Sequence, residues 1–261
     1  MNILDQLADH ARARVAANEK EHSVDELRER AYASPRGAFA FEQALKQGEG
    51  IRFICECKKA SPSKGLIAED FPYLEIAHSY EEAGAAAISC LTEPRWFLGE
   101  DRYLKEIAEQ VHIPVLRKDF TVSEYMIYEA KLLGASAVLL ICAILTDEEL
   151  ARFHRTADEL GLSCLVEAHD EEEVRRAVSC GARIIGVNNR NLKDFTVDME
   201  NSIRLRRLVP EKEAVFVAES GIRTAEDVRI LKENGVQAVL IGETLMRAPD
   251  KKAALDALRG V

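Results

Sequence analysis

The chain has 261 residues, 47% of them hydrophobic, and its 35 Lys and Arg against 45 Asp and Glu leave a net charge of −10. That length fits one α/β barrel of about 250 residues better than two ordinary domains. The acidic balance argues against nucleic acid or an anionic membrane as partner, so an anionic ligand must be met by a local cationic site.

The amino terminus lacks a charged-then-apolar signal pattern, and the longest wholly apolar run, residues 137–145, is too short to span a bilayer. A cytoplasmic location is the default expectation. Six cysteines (Cys55, Cys57, Cys90, Cys142, Cys164, Cys180) show neither Cys-x-x-Cys nor Cys/His metal spacing. They read as reduced, buried small hydrophobes.

Ile3, Leu4, Leu7, Ala8, Ala11 and Val15 recur at helical spacing. A second helix is expected over residues 23–32 and a third over 39–46, separated by the Ser34-Pro35-Arg36-Gly37 turn. From Ile51 onward eight apolar runs alternate with helix-like stretches: 51–57, 86–91, 114–117, 137–143, 163–167, 184–187, 214–218 and 238–241. Helix caps stand at Ser123, Thr146, Asp170 and Thr224. Strict alternation implies a parallel sheet, and eight units imply a closed (β/α)8 TIM barrel, a single domain over residues 1–261. Residues 1–50 then form a helical extension, expected to cover the mouth or bottom of that barrel. Gly84, Gly134, Gly181 and Gly235 each stop a helix just before a strand, a weak internal repeat.

In such a barrel the chemistry lies at the carboxyl ends of the strands. In the first run, alternation puts Ile54, Glu56 and Lys58 on one face and Phe53, Cys55 and Cys57 on the other. Two buried charges are costly unless they pair or meet a charged ligand. Ser61-Pro62-Ser63-Lys64-Gly65 then supplies turn formers, hydroxyls and a cation, which suits an anionic substrate. The other strand ends carry Lys118, Glu167, Asn188 with Arg190, Glu219 with Ser220, and Gly242. A ring of two lysines and three glutamates suits general acid–base work, the opposite charges tuning one another. Gly221 and Gly242 precede helix starts in the last two units, where these barrels commonly bind phosphate. Phe97 and Phe120, in loops after the second and third strands, can wall an aromatic pocket; plain core packing is the alternative. Of the histidines, His10, His22, His78, His112 and His154 read as structural or exposed. His169 shares a face with Glu167 if its strand continues, and is taken as a loop residue. No metal-binding, Walker or dinucleotide motif is present.

Glu56-x-Lys58-x-x-Ser61-Pro62-Ser63 resembles the hallmark segment of the indole-3-glycerol phosphate synthase family of tryptophan biosynthesis. The likeness continues through Leu116-Arg117-Lys118-Asp119-Phe120, Leu165-Val166-Glu167, Gly186-Val187-Asn188-Asn189-Arg190, Ala218-Glu219-Ser220-Gly221-Ile222 and Ile241-Gly242-Glu243-Thr244-Leu245-Met246. It implies conversion of 1-(2-carboxyphenylamino)-1-deoxyribulose 5-phosphate to indole-3-glycerol phosphate, CO2 and water, with no cofactor and no metal. By the same resemblance Lys118 protonates the ketone oxygen. Glu167 and Lys58 are candidates for the later proton transfers, and Glu56 orients Lys58. The division of those steps among Lys58, Lys118, Glu56 and Glu167 stays open. Asn188 and Glu219 resemble polar contacts to substrate hydroxyls and the catalytic lysines, and Arg190 a contact to the anthranilate carboxylate. Ser61, Ser220, Gly221 and Gly242 match phosphate-side positions, and Phe97 and Phe120 the pocket for the aromatic ring. One departure is Glu243, where some members carry serine; a carboxylate there repels phosphate, so it is expected to point away. The chain ends at Val261, so a single activity is expected, from a monomer or weak homodimer.

Two other readings compete. A phosphoribosylanthranilate isomerase-like barrel would rely on a Cys/Asp pair, but Cys57 falls on the wrong face. A non-catalytic metabolite-binding barrel would show an eroded strand-end ring, and this ring is complete.

Overall fold

The computed structural model describes residues 3–192, 194–210 and 214–260. The eight apolar runs form eight parallel strands: β1 (Arg52–Cys57), β2 (Ala87–Leu91), β3 (Val115–Lys118), β4 (Ala137–Ile141), β5 (Ser163–Ala168), β6 (Ile184–Asn188), β7 (Val215–Glu219) and β8 (Ala238–Ile241). Each pairs with its sequence neighbour, and β1 pairs with β8 in the register Arg52↔Ala238 through Cys55↔Ile241, which closes the barrel. The expected (β/α)8 architecture is therefore the observed one.

Side-chain alternation divides the core in two. Ile54, Leu116, Leu139, Leu165, Val217 and Leu240 fill the barrel. Phe53, Cys55, Ile88, Val138, Val166 and Phe216 point outward and pack beneath the helices. Both faces of each strand are buried, which is why the strands read as continuous apolar runs. Cys57 belongs to the outer set, where burial pushes its thiol well above the ordinary range. It is no acid–base group of the mouth.

Helices α4 (Tyr73–Glu82), α5 (Asp101–Gln110) and α11 (Glu243–Arg247) follow β1, β2 and β8, and four others start where caps were expected. Ser123 precedes α6 (Glu124–Leu132), Thr146 precedes α7 (Asp147–Glu159), Asp170 precedes α8 (Glu171–Ser179) and Thr224 precedes α10 (Ala225–Glu233), each accepting a bond from a first-turn amide. Gly84, Gly134, Gly181 and Gly235 have φ of 75°, 88°, 79° and 79°, the left-handed stop implied by their repeat. One strand pairing was not anticipated. Ala60–Ser61 and Gly65–Leu66 form a short antiparallel pair in the loop after β1. The carboxyl-terminal helix α12 (Lys251–Arg259) returns to the first unit, where Arg259 stacks on Phe53 at 5.4 Å.

The helical extension comprises α1 (Ile3–Asn18), α2 (Val24–Ala33) and α3 (Ala40–Lys46). It does both of the things considered for it. Ile3 and Leu7 of α1 reach the cavity at the carboxyl ends of the strands. Phe41 and Leu45 of α3 join the barrel's interior core, and the Glu42 amide donates to Ser163 Oγ at 3.2 Å, at the start of β5. So α1 covers the mouth and α3 plugs the bottom. Among the described residues, no helix is long and apolar enough to cross a membrane.

Candidate active site

The carboxyl ends of the strands open into a cavity of about 390 Å³. That volume suits a small organic ligand. Every residue singled out from the sequence lines it: Glu56, Lys58, Ser61, Phe97, Lys118, Phe120, Glu167, Asn188, Arg190, Glu219, Ser220, Gly221 and Gly242. Residues spread over seven of the eight units are thus brought to one place.

Lys118 is the centre of the charge arrangement. Its ammonium donates to Glu167 Oε2 at 2.9 Å and to Glu219 Oε2 at 3.1 Å. Both glutamates are 2% exposed, so their charges are felt at nearly full strength. Burial alone would pull the lysine down, but Glu167, Glu219 and Glu56 outweigh it and hold Lys118 above its ordinary range. The two carboxylates cannot both share the benefit. Burial lifts Glu167 too, yet Lys118, His169 and hydrogen bonds from Lys118 and Asn188 bring it below the usual carboxylate range. Glu219, with burial and the neighbouring Glu167 against it and Lys118 for it, is pushed up to about 7. The trio therefore holds an ammonium, a carboxylate and a carboxyl group that changes charge near neutrality. Glu219 Oε1 is buried with no hydrogen-bond partner, against Gly186 of β6, where a Cβ would overlap it.

At the end of β1 Lys58 is ion-paired with Glu56 Oε1, and Ser89 Oγ on the neighbouring β2 lies 3.5 Å from Glu56 Oε2. Gly242 makes room for this pair. A Cβ there would overlap Glu56 Oε1 and come within 2.7 Å of Lys58 Nζ, so any side chain displaces both charges. Gly221 is equally constrained, with φ of +86° and a hypothetical Cβ 2.5 Å from Val197 Cγ1. Ser220, just before it, also sits at positive φ, +68°. Such backbone is strained for serine and recurs at functional sites.

Phe97 and Phe120 are in tilted contact with centroids 6.0 Å apart; both line the cavity and both also pack on the barrel's interior core. Each is set from behind by a buried carboxylate. Glu93 Oε2 accepts from the amides of Trp96 at 2.8 Å and Phe97 at 3.1 Å. Asp119 accepts from the Phe120 amide at 2.8 Å and is gripped by Arg14 of α1 at 2.6 and 3.1 Å. The amino-terminal helix is thereby tied to the strand that carries Lys118. Arg190 hangs on Asn188, whose Oδ1 accepts from the Arg190 amide at 3.0 Å while its Nδ2 donates to Glu167 Oε1 at 3.2 Å.

Glu243 departs from expectation. It does not leave the cavity but forms part of its wall. Its carboxylate lies 3.2 Å from Arg247 and 3.6 Å from Lys64, and despite burial these cations hold it below the usual carboxylate range. Two cations beside one carboxylate leave this end of the pocket positive. Arg223 and Arg247, both cavity residues, were not foreseen, nor were Ile3, Leu7, Leu192 and Phe195. The arginines lie within segments whose local pattern is an ordinary helix start and end, so only the fold marks them.

Fold and site together define an enzyme of the (β/α)8 class built for acid–base chemistry beside a cationic, aromatic-lined pocket. The family model described as indole-3-glycerol phosphate synthase matches residues 4–258. The chain is 58% identical over 259 residues to the indole-3-glycerol phosphate synthase of Ruminiclostridium cellulolyticum, covering 99% of each. It is 60% identical over 226 residues to the one of Lachnoclostridium phytofermentans, covering 87% of this chain and 83% of that one. The structure of 3-hexulose-6-phosphate synthase from Salmonella typhimurium superposes with a TM-score of 0.65 at 15% identity, over 80% of this chain and 97% of that one, a likeness of fold alone. The chain belongs to the indole-3-glycerol phosphate synthase family, decarboxylating lyases of tryptophan biosynthesis.

Proposed function

We propose that this cavity closes the indole ring of 1-(2-carboxyphenylamino)-1-deoxyribulose 5-phosphate and releases indole-3-glycerol phosphate, CO2 and water. The observation that carries the reading is Lys118, fully charged between Glu167 and Glu219 at the head of a pocket walled by Phe97 and Phe120. The anthranilate ring packs against the two phenylalanines, and its carboxylate is met by Arg190. The phosphate takes the backbone of Gly221 and Gly242 with Ser61 and Ser220, where Lys64, Arg223 and Arg247 favour an anion.

The aromatic carbon bearing the carboxylate attacks the ketone carbon, and the Lys118 ammonium gives a proton to the developing alkoxide. A positioned acid of this kind contributes about 10²–10⁴ in rate. Breaking the ring–carboxylate bond returns its electron pair to the ring system and releases CO2. Loss of the hydroxyl then needs a proton on the departing oxygen and a base for the ring-side proton. Lys58, oriented by Glu56, supplies the first, and Glu167 the second. Glu219 contacts a substrate hydroxyl. The local cations support an anionic small molecule as the substrate, and the net charge of −10 argues against nucleic acid or an anionic membrane as partner. The six free cysteines support action in the reducing cytoplasm.

The test is a fluorescence assay in EDTA. Purified chain mixed with this substrate should produce indole fluorescence and one CO2 for each indole formed. Folded protein that produces neither would overturn the reading and leave a barrel that binds without turning over.

A further inference from the structure

We propose that His169 is a positioning residue: with Glu173 it forms a carboxylate–imidazole–carboxylate chain that orients Glu167 and sets its charge. The inference rests on the reading of Glu167 as a proton-transfer group and adds the apparatus behind it.

The strand ends at Ala168, yet the imidazole of His169 still turns to the Glu167 side. Its Nδ1 lies 3.1 Å from Glu173 Oε2, which also accepts from the His169 amide at 2.8 Å. Glu173 is itself held, because Asp170 caps α8 through the Glu173 amide at 2.9 Å. The His169 carbonyl accepts from Asn201 Nδ2 at 3.0 Å, on helix α9 (Glu200–Arg206). The ring is therefore anchored by α8 and α9 before it meets Glu167. On its other edge Nε2 is buried without an aligned partner, 3.4 Å from Glu167 Oε1.

This geometry decides the proton inventory. Nδ1 faces a carboxylate, so it carries hydrogen. A neutral ring would then present a lone pair at Nε2 to the Glu167 carboxylate, which is repulsive. A doubly protonated ring presents N–H instead, and both contacts become charge-assisted. The groups facing the ring are Glu167 on β5, Glu219 on β7 and Glu173 on α8. Of the cations, Arg204 on α9 is turned onto Asn201 Oδ1 at 2.6 Å, and Lys118 on β3 sits on the other oxygen of Glu167 at 2.9 Å. Burial works against the imidazolium, but Glu173, Glu167 and Glu219 outweigh it and lift His169 above the ordinary histidine range. The effect is reciprocal, since His169 is one of the charges that lower Glu167. Lys118 on Oε2, and Asn188 and His169 on Oε1, thus fix the carboxylate from both sides.

The experiment compares His169→Asn and Glu173→Gln with the parent enzyme across pH. Without the imidazolium Glu167 binds its proton more tightly, so the acid limb of kcat/KM should move up by about 1 pH unit. At pH 7, where Glu167 stays ionised, the lost orientation should lower kcat about tenfold, with KM within about twofold. Glu173→Gln should shift the limb in the same direction by less. A merely structural histidine would not move this limb. A His169→Asn profile that overlays the parent, in an enzyme that Glu167→Gln inactivates, overturns the proposal alone. Full turnover by Glu167→Gln overturns the reading on which it rests. If His169→Asn does not fold, NMR titration of His169 in the intact chain decides. Titration above the ordinary value, lowered in Glu167→Gln, supports the chain, and a ring already neutral at pH 6 overturns it.

Discussion

Alanine in place of Lys118 is expected to lower kcat by about 10³-fold while substrate affinity and circular dichroism stay close to those of the parent. The loss follows from the proposed step. No other ammonium occupies the place between Glu167 and Glu219, and water cannot deliver a proton to the alkoxide from that position at comparable rate. The fold should survive for an equally physical reason. Two buried carboxylates left without their cation cannot both stay ionised, and Glu219, already lifted to about 7, takes up the proton that removes the repulsion. Steady-state kinetics and a thermal melt of the variant check both halves. Parent-like turnover would remove Lys118 from the mechanism.

Glutamine in place of Glu219 should inactivate the enzyme and stabilise it at alkaline pH. The folded carboxyl is raised from 4.5 to about 7, so the folded state holds this proton more tightly than the unfolded chain. Stability from that preference is complete below about pH 4.5 and disappears as pH rises through about 7. The interval corresponds to about 3 kcal/mol. Glutamine has no proton to lose there. Between pH 5 and pH 8 the parent should therefore lose up to about 3 kcal/mol relative to Glu219→Gln, measured by denaturant unfolding at the two pH values. Parallel pH dependences would show that Glu219 does not titrate in this range.

What the linear chain reveals is governed by distance along it. The alternation Ile54, Glu56, Lys58 against Phe53, Cys55, Cys57 is local, so the facing of β1 and the exclusion of Cys57 were readable. The glycine stops at Gly84, Gly134, Gly181 and Gly235 are local too. The Arg14–Asp119 pair spans 105 residues, and no periodicity in α1 marks Arg14 as different from its exposed neighbours. Glu243 looks unfavourable beside a phosphate site until Lys64, from the loop after β1, is brought next to it. His169 had the right parity to face Glu167, and the strand's end hid it; only Glu173, four residues on and turned back by the Asp170 cap, shows which way the ring points. The catalytic ring was thus legible as residue types at strand ends, and the supports behind it were not.

The most direct test is a structure of the complex with the substrate whose ketone is reduced to an alcohol. The phosphate should lie on the amides of Gly221 and Gly242, and the aromatic ring against Phe97 and Phe120. The new hydroxyl should stand about 3 Å from Lys118 Nζ. A ligand bound in the reverse sense, or with that hydroxyl beyond reach of Lys118, would contradict the account.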